Sequence, residues 1–331
     1  MKILLAASGS GGHVFPCLTL GEFLKTKGHD IVYLQIDGCF ETKIQNMKPS
    51  ILVKIERNFK INFKTCKNIQ KFISEIKTLK DKTKEFDIVF SFGGILSFVC
   101  FLIKHKEQKF YIHEQNAILG DANKIGALKC TKLFASIPIQ EDIFISKKAI
   151  LSGNPRESLI KDNSNLNRQC ITFLCGSLGS NTLKNIYIKV IQKLEVKYSI
   201  NVVGKYQADL FGKNVKIYDS FSNIDNIFEN TKLLITRGGA TTLSEACKSK
   251  IPMVIIPSPY VKNNHQAKNA IYYEKLGVAN ILNEDINLEE NLLNIIDLLM
   301  NNFCEYYKLK SSYKSVKYFD SLSIIEREIC K

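Results

Sequence analysis

The amino-acid sequence predicts an α/β protein with two doubly wound halves, each built on a parallel sheet. The chain has 331 residues, which is long for a single hydrophobic core and favours two domains. Short apolar runs alternate with longer segments of helical spacing, as in strands that are connected by crossover helices. This alternating pattern starts at two places in the chain. At each of them, an apolar run is followed by a turn of small residues.

The first half contains a series of predicted strands and helices. The opening strand ends in Ser8-Gly9-Ser10-Gly11-Gly12, and the helical pattern that follows stops at Gly28. A later strand ends at Gly93-Gly94 and again leads into a helical pattern. The predicted strands are residues 2–7, 29–36, 86–92 and 109–113, and the predicted helices are 16–27 and 95–106.

The second half repeats this order. One strand leads into the turn at 176–180, and a later one leads into Gly238-Gly239, after which Thr241 or Thr242 is placed to cap the next helix. From Glu284 onward the pattern is helical. The predicted strands are residues 170–175, 198–203, 232–236 and 251–256, and the predicted helices are 184–197 and 242–249.

These patterns divide the chain into two domains. We expect the first domain at residues 1–154 and the second at 155–311. The last helix, within residues 312–331, is a candidate to pack back on the first domain.

The composition narrows the class of protein. The formal net charge of +14 suits a nucleic acid, an anionic membrane surface or a phosphorylated substrate as partner, and a genome bias towards lysine codons is the alternative. No nucleic-acid-binding motif is recognisable, so we expect no nucleic-acid partner. The 10 cysteines are scattered singly, as in proteins of a reducing cytosol. No stretch reaches the roughly 20 apolar residues of a membrane span, and no signal peptide is predicted.

Glycine-rich turns between a parallel strand and a helix are typical phosphate-binding sites, because backbone N–H groups and the helix N-terminus approach the anion. At the first turn, Gly9 and Gly11 match the start of the dinucleotide fingerprint GxGxxG, and Asp37 ends the next strand. Val14 occupies the position of the third glycine, so the fingerprint is incomplete. The turns fit a nucleotide at the carboxyl ends of the strands, in the crevice between two such domains.

The segment at residues 236–245 carries a more informative pattern. Gly238-Gly239 allows the backbone to approach a ligand closely, and Glu245 lies one turn inside the following helix. A carboxylate there accepts hydrogen bonds from both hydroxyls of a ribose, whereas an acid that only complements the helix dipole is the alternative. Further on, the amides of Gln266 and Asn269 share one helix face and suit sugar hydroxyls, although a solvated surface explains them equally well.

Six motifs follow one another over most of the chain: SGSGGHVFPCL, FSFGG, HEQNAILGDANK, GNPR, GSLGS and RGGATTLSEA. Together they resemble the MurG family of bacterial peptidoglycan glycosyltransferases, within glycosyltransferase family 28. The resemblance implies two Rossmann-like domains that face a central cleft, the GT-B arrangement. It also implies an inverting transfer of N-acetylglucosamine from UDP-N-acetylglucosamine (UDP-GlcNAc) to lipid I, undecaprenyl-diphospho-muramoyl-pentapeptide, which gives lipid II. No cofactor and no metal site is implied, and the sequence contains no DxD metal motif.

The resemblance also implies which residues bind the substrates. It places Ser10, Gly11 and Gly12 near the diphosphate, and Asn116, at the end of HEQN, on the donor or acceptor sugar. Arg156 is assigned to the diphosphate, although the family commonly has one apolar residue between the proline of GNPR and the arginine. In the second domain the implied binding residues are Ser177 for phosphate, Ala240, Thr241, Thr242, Leu243, Ser244 and Glu245 for the nucleoside, and Gln266 and Asn269 for N-acetylglucosamine.

An inverting transfer needs a base that takes the proton from the acceptor hydroxyl. We predict that His13 is this base, since the positive end of a helix dipole keeps its imidazole neutral near pH 7. A hydrogen bond from His13 to phosphate or backbone is the alternative role. Glu114 is the competing base, or else it orients His13 or the acceptor. Glycine-turn N–H groups, helix dipoles and Arg156 are expected to stabilise the charge on the departing diphosphate.

The acceptor implied by the resemblance keeps its polyprenyl tail in the bilayer, so we expect a peripheral protein at the cytoplasmic face of the bacterial cell membrane. Residues 60–84 suggest a basic amphipathic helix on anionic lipid, where each lysine contributes about 1 kcal/mol. The alternative is a helix that packs its apolar stripe onto the first domain. The apolar residues are Cys66, Ile69, Ile73, Ile76 and Leu79, and the lysines are Lys60, Lys64, Lys67, Lys71, Lys77, Lys80, Lys82 and Lys84.

Other functions remain open from the sequence alone. They include another UDP-sugar transferase with a membrane lipid as acceptor, such as a diacylglycerol glycosyltransferase, and a UDP-GlcNAc epimerase. A nicotinamide oxidoreductase explains only the first glycine turn. A membrane-surface protein that has lost its activity is disfavoured by the presence of His13, Asn116 and Glu245.

Overall fold

The computed structural model describes residues 1–37, 47–55, 66–140, 149–162, 168–174, 181–219 and 224–331. These residues form two compact units. The N-terminal unit comprises Met1–Arg156 and Phe319–Lys331, and the C-terminal unit comprises Glu157–Tyr318. Each unit contains its own parallel sheet, which confirms the predicted α/β class with two parallel-sheet domains.

The secondary structure alternates as the sequence predicts. The strands are β1 (Lys2–Ala6), β2 (Asp30–Ile36), β3 (Ser50–Val53), β4 (Ile88–Ser91), β5 (Lys109–Glu114), β6 (Lys132–Ala135), β7 (Ala149–Leu151), β8 (Cys170–Leu174), β9 (Ile200–Val203), β10 (Val215–Tyr218), β11 (Thr231–Thr236), β12 (Met253–Ile255) and β13 (Ala279–Ile281). The α-helices are α1 (Gly11–Thr26), α2 (Cys66–Lys82), α3 (Ile95–Ile103), α4 (Asp121–Gly126), α5 (Asn181–Leu194), α6 (Ile224–Asn230), α7 (Ala240–Lys248), α8 (His265–Lys275), α9 (Leu288–Asn301), α10 (Phe303–Ser312) and α11 (Ser321–Ile329).

The sheet of the N-terminal unit has seven parallel strands in the order β3-β2-β1-β4-β5-β6-β7. The chain first proceeds from β1 towards β3 and then returns to β4, so the direction of winding changes between β1 and β4. Ala6 at the end of β1 is paired with Ser91 at the end of β4. The loops that leave these two strands are therefore neighbours, and such a switch point is where α/β sheets bind ligands.

The sheet of the C-terminal unit has six parallel strands in the order β10-β9-β8-β11-β12-β13. Here the switch point lies between β8 and β11, where Leu174 is paired with Thr236. The turn that follows β8 lies outside the described residues, whereas the Gly238-Gly239 turn after β11 is described. The second unit therefore repeats the plan of the first.

Apolar runs in the central strands fill the core on both faces of each sheet. In β1, Leu4 packs into one apolar cluster, and Ile3 and Leu5 pack into another. Because successive side chains of a strand point to opposite faces, both faces of this sheet are covered. The continuous apolar pattern of the sequence is the expected signature of such a strand.

Three helices begin earlier than predicted, among them α5, which starts at Asn181 rather than at residue 184. Helix α1 starts at Gly11 rather than at Pro16, and Pro16 lies inside it. Helix α7 starts at Ala240 with Gly239 as its N-cap residue, so the prediction that Thr241 or Thr242 caps this helix is wrong. At α1 the residues Gly11 and Gly12, which predict a turn, already belong to the helix, whereas at α7 Gly239 keeps an extended backbone as the N-cap residue.

Helix α11 belongs to the N-terminal unit, although it follows the C-terminal unit in the chain. Leu322, Ile325 and Ile329 are buried in the apolar cluster that also contains Leu5 of β1. The Ser321 hydroxyl donates to the Gly153 carbonyl oxygen at 3.1 Å. The last helix thus completes the core of this unit.

Helix α2 directs part of its predicted apolar stripe inward. Leu79 is buried in the core of the N-terminal unit, and Phe72 and Ile76 pack against the same cluster. Ile73 is 48% exposed. For Ile76 and Leu79 the structure therefore agrees with packing onto the first domain rather than with contact to lipid. The side chains of Cys66 and Ile69 and the lysines at 60, 64 and 67 lie outside the described part of the chain.

Candidate functional site

The turn between β1 and α1 positions His13. Ser10 is the N-cap residue of α1, and its carbonyl oxygen accepts hydrogen bonds from the N–H groups of His13 at 3.0 Å and Val14 at 3.2 Å. The His13 Nδ1 lies 3.0 Å from the Ser8 carbonyl oxygen. Because a carbonyl oxygen only accepts, Nδ1 carries the proton and the lone pair of the neutral ring is on Nε2. The imidazole is thereby oriented with its basic nitrogen at Nε2.

The turn after β4 packs against the imidazole of His13. Gly93 has a φ angle of 114°, which disfavours every residue except glycine. A Cβ atom on Gly93 would lie 2.8 Å from Cδ2 and 2.9 Å from Nε2 of His13. Glycine is therefore required here both by the backbone and by the contact with His13.

Arg156 lies beside the first turns of α1. Its guanidinium is centred 5.7 Å from the ring centroid of Phe15. Its backbone N–H donates to Oδ1 of the buried Asn154 at 3.0 Å, which fixes the start of the 3₁₀ helix Pro155–Leu159. Arg156 is thus a residue of the N-terminal unit, and its positive charge is close to the helix start that carries His13.

Glu114 is the centre of a buried hydrogen-bond network. Its Oε1 accepts from the backbone N–H of Asn116 at 3.0 Å and from the Asn116 side-chain amide at 2.9 Å. Its Oε2 accepts from the backbone N–H of Gly120 at 2.9 Å and from the Asn123 amide at 2.8 Å. With 1% exposure and four donors on one carboxylate, Glu114 is placed to fix the loop after β5 rather than to accept a proton from an acceptor hydroxyl.

His113 connects this loop to the segment after β7. The fully buried ring donates from Nε2 to the Gly153 carbonyl oxygen at 3.1 Å and accepts at Nδ1 from the Gln115 amide at 3.1 Å. It also stacks on Phe92, with 5.3 Å between the ring centroids. Burial lowers the pKa of His113 from 6.5 to about 4, although the hydrogen bond to Gly153 acts in the opposite direction. His113 is therefore neutral at physiological pH.

We predict that His113 makes the N-terminal unit sensitive to acid. Since its folded pKa of about 4 is below the unfolded value of 6.5, the unfolded chain binds more protons between these pH values. The free energy of unfolding should therefore fall as the pH is lowered from 6.5 to 4, by up to about 3 kcal/mol. Denaturant titrations across this range should show the loss for the wild type and a weaker dependence for H113Q. The control H105Q, at a half-buried position of the same unit, should keep the wild-type dependence.

In the C-terminal unit, the turn after β11 is fixed by a buried ion pair. The Arg237 guanidinium lies 2.5 Å from the Glu284 carboxylate, and both side chains are less than 10% exposed. The same Nη1 donates to the Ile256 carbonyl oxygen at 3.2 Å. These contacts tie the end of β11 to the segments that follow β12 and β13.

The side-chain amides of Gln266 and Asn269 form hydrogen bonds to the loop before α8 and to this turn, respectively. Asn269 is fully buried, and its Nδ2 donates to the Gly238 carbonyl oxygen at 2.9 Å. Gln266 Oε1 accepts from the Ser258 backbone N–H at 2.9 Å. The sequence predicts that both amides contact sugar hydroxyls. In the structure, their hydrogen bonds also stabilise the turn after β11 and the loop before α8.

Helix α7 offers a ligand mainly its first-turn backbone. Leu243 is fully buried, and the Ser244 hydroxyl donates to the Thr241 carbonyl oxygen at 2.9 Å. These two side chains, both predicted to bind the nucleoside, therefore face the interior of the unit. Glu245 is 5% exposed in the second turn, and Thr242 is half-buried in the first. N–H groups in the first turn of a helix have no acceptor inside the helix and suit an anion or a polar base.

We predict that G238A weakens the binding of UDP, the nucleotide that the sequence motifs imply, at least tenfold. A Cβ atom at Gly238 would overlap the backbone carbonyl of Gln266 and force α8 away from the turn. G239A is the matched control, because a Cβ atom there meets nothing within 4 Å and its φ of −73° suits alanine. Calorimetric titration with UDP should show the loss for G238A alone, and equal affinities for the two variants would contradict the role of this contact.

The structure brings together several of the predicted residues within each unit. Ser10, Gly11, Gly12, His13 and Arg156 lie at the start of α1 in the N-terminal unit, whereas Asn116 belongs to the loop that Glu114 fixes. Ser177 lies outside the described residues. The sequence analysis assigned no site role to Phe15, Gly93 and Asn123, although all three lie in the quoted motifs, because their partners are revealed only by the fold.

Two family descriptions match the chain. The glycosyltransferase family 28 N-terminal domain matches residues 3–135, and the glycosyltransferase family 28 C-terminal domain matches residues 170–322. A relative from Pediococcus pentosaceus is 30% identical over 331 residues and covers 91% of each chain. A relative from Thermosipho africanus is 32% identical over 316 residues, which are 90% of this chain and 92% of the relative. Both relatives are named UDP-N-acetylglucosamine–N-acetylmuramyl-(pentapeptide) pyrophosphoryl-undecaprenol N-acetylglucosamine transferase.

Solved structures show the same fold. MurG from Acinetobacter baumannii matches with a TM-score of 0.77 and 21% identity, over 98% of this chain and 97% of that chain. The spinosyn forosaminyltransferase SpnP matches with a TM-score of 0.69 and 12% identity over the full length of both chains. The two parallel-sheet units, with glycine turns at their switch points, define a glycosyltransferase of the GT-B fold. This chain belongs to glycosyltransferase family 28.

Proposed function

We propose that this protein transfers N-acetylglucosamine from UDP-GlcNAc to lipid I, giving lipid II for peptidoglycan. The relatives that are 30–32% identical over about nine-tenths of both chains carry the name of this activity, and this observation supports the proposal most strongly. The geometry within each unit is consistent with it. In the N-terminal unit, His13 is oriented by a hydrogen bond and lies with Arg156 near the start of α1. In the C-terminal unit, a hydrogen bond from Asn269 stabilises the glycine turn that precedes α7.

In the N-terminal unit, His13 acts as the general base. Its Nε2 lone pair takes the proton of the acceptor hydroxyl while that oxygen attacks the anomeric carbon and the bond to the diphosphate breaks. The hydrogen bond to the Ser8 carbonyl fixes the tautomer and supports the imidazolium as it forms. Asn116, held by Glu114, contacts a sugar. Arg156 and the N–H groups of Gly11 and Gly12 stabilise the negative charge of the departing UDP.

In the C-terminal unit, the start of α7 holds the nucleoside of the donor. Glu245 accepts hydrogen bonds from the ribose hydroxyls, and the first-turn N–H groups of Ala240 and Thr241 bind polar atoms of the nucleotide. Gln266 and Asn269 fix the neighbouring segments and orient the N-acetylglucosamine. Ser177 binds donor phosphate.

The test is a transfer assay with the purified protein, UDP-GlcNAc and a soluble lipid I analogue. The proposal expects UDP release that depends on the acceptor and a product heavier than the acceptor by one N-acetylglucosamine residue. UDP release that is equal without the acceptor points to an epimerase, and transfer to diacylglycerol alone points to another lipid glycosyltransferase. Either result would overturn the assignment of the acceptor.

The protein acts at the cytoplasmic face of the bacterial membrane as a peripheral protein in this proposal. Among the described residues, no helix is long and apolar enough to cross a bilayer. Residues 70–85 cover the described side chains of α2 and its end, and they include five exposed lysines and three acidic residues. Because Ile76 and Leu79 face the core, attraction of these lysines to anionic headgroups, about 1 kcal/mol each, is the main contribution.

Sedimentation with vesicles tests this attraction. Binding should require anionic lipid and should fall as salt is raised, since the charges are screened. The double variant K80E/K84E should bind less, whereas K314E in the C-terminal unit should bind as the wild type does. Binding that ignores both lipid charge and salt would contradict the proposal.

A further inference from the structure

A second group of reactive side chains lies at the far end of α1 from His13. It consists of His29, Glu326 and Cys330, whose nitrogen, oxygen and sulfur atoms all lie within 4.8 Å of one another. The Cys330 Sγ is 3.9 Å from the His29 Nε2. His29 and Glu326 are half-buried and Cys330 is exposed, so the group is open to solvent.

Local structure brings these three residues together. Glu326 and Cys330 are four residues apart on α11 and its C-cap, where the Cys330 N–H donates to the Glu326 carbonyl oxygen at 3.0 Å, so both side chains share one helix face. Gly28, with a φ of 80°, ends α1 and turns the chain towards His29 and β2. The apolar face of α11 is fixed in the core by Ile325 and Ile329, which directs the Glu326–Cys330 face to the edge where His29 lies.

We propose that His29, Glu326 and Cys330 form a zinc-binding site. One imidazole, one carboxylate and one thiolate are a ligand set that suits Zn²⁺, whereas Mg²⁺ and Ca²⁺ prefer oxygen ligands alone. In a tetrahedral zinc site with bonds of about 2.2 Å, neighbouring ligand atoms are about 3.6 Å apart. The distance from Sγ to Nε2 of 3.9 Å is close to this value. On binding, the Cys330 thiol releases its proton to solvent and forms the Zn–S bond, and water completes the coordination.

The position of the site indicates a structural role. Helix α1 has 16 residues and is therefore about 24 Å long, which separates His29 from His13 by most of the length of this helix. A zinc ion would connect the last turn of α11 to the connection between α1 and β2. It would thereby hold the C-terminal helix on the N-terminal unit, and the transfer reaction would not use it.

The test uses the full-length protein, reduced and freed of metal with a chelator. Zn²⁺ should bind with one-to-one stoichiometry in competition with a chromophoric chelator, and should raise the melting temperature. Co²⁺ should give a thiolate-to-cobalt charge-transfer band. C330S should abolish that band, and C330S and H29Q should each weaken zinc binding at least tenfold. The matched control C304S removes another exposed cysteine and should bind zinc as the wild type does.

Three results would overturn the proposal. They are a zinc affinity that C330S and H29Q leave unchanged, a cobalt spectrum without the thiolate band, and Mg²⁺ binding as tight as Zn²⁺ binding. Circular dichroism of each metal-free variant confirms that it is folded, which is expected because these side chains lie at the surface. The transfer assay is a separate readout, since removal of zinc at low temperature should leave acceptor-dependent UDP release unchanged.

Discussion

H13Q is expected to lower the turnover number for transfer by a factor of about 10²–10⁴, the usual contribution of a general base. Glutamine keeps a polar side chain of similar length at the start of α1 but has no nitrogen that accepts a proton near pH 7. The KM for UDP-GlcNAc should change little, because the variant leaves the C-terminal unit and Arg156 in place. Steady-state rates with a lipid I analogue measure both quantities.

The pH profile separates a base from a residue that only binds phosphate. In the wild type, kcat should fall on the acid side as the imidazole is protonated, and this acid limb should be absent in H13Q. H105Q removes another histidine of the same unit, one that lies outside the proposed machinery, and should retain the wild-type rate and profile. An H13Q enzyme with a near wild-type kcat, or with an unchanged acid limb and a raised KM for UDP-GlcNAc, would remove His13 from the base role.

Much of the fold could be predicted because parallel strands leave a strong mark on the sequence. The apolar runs of β1, β4, β8 and β11 end in glycine turns, and the structure has a strand at each of them. The starts of α1 and α7 could not be predicted in the same way. Glycine residues are compatible with a turn and with a helix start, and the neighbouring strands decide which of the two forms.

The motifs predicted which residues lie around the glycine turns, but they did not predict the hydrogen bonds of each side chain. The motifs named Glu114 and Asn269, yet only the fold shows that Glu114 accepts from backbone N–H groups and amides and that Asn269 donates to the Gly238 carbonyl oxygen. Gly93 is defined by contact with His13, which is 80 residues away in the sequence and adjacent only because β1 pairs with β4. The apolar residues of α2 are a further example of a contact that the sequence alone does not determine. Their helical periodicity does not specify whether Ile76 contacts lipid or the core.

E114Q is expected to reduce transfer by about 100-fold and to destabilise the protein by about 3 kcal/mol. The amide of glutamine presents its NH₂ group to N–H donors, so hydrogen bonds of the buried carboxylate to Asn116, Gly120 or Asn123 are lost. The loop after β5 then moves, and a displacement of about 1 Å at a substrate contact can reduce the rate by this factor. Denaturant unfolding and steady-state kinetics measure the two effects. E85Q, at an exposed position, should change stability by less than about 0.5 kcal/mol.

The distinction between a positioning residue and a base again depends on pH. If Glu114 positions Asn116, the folded E114Q enzyme keeps the shape of the wild-type pH profile at a lower rate, and E114D recovers part of the activity. The effects of E114Q and N116A should also be non-additive, because the first variant already releases the Asn116 side chain. If Glu114 is the base instead, E114Q loses the acid limb of kcat while H13Q retains it, and the roles assigned to these two residues are exchanged.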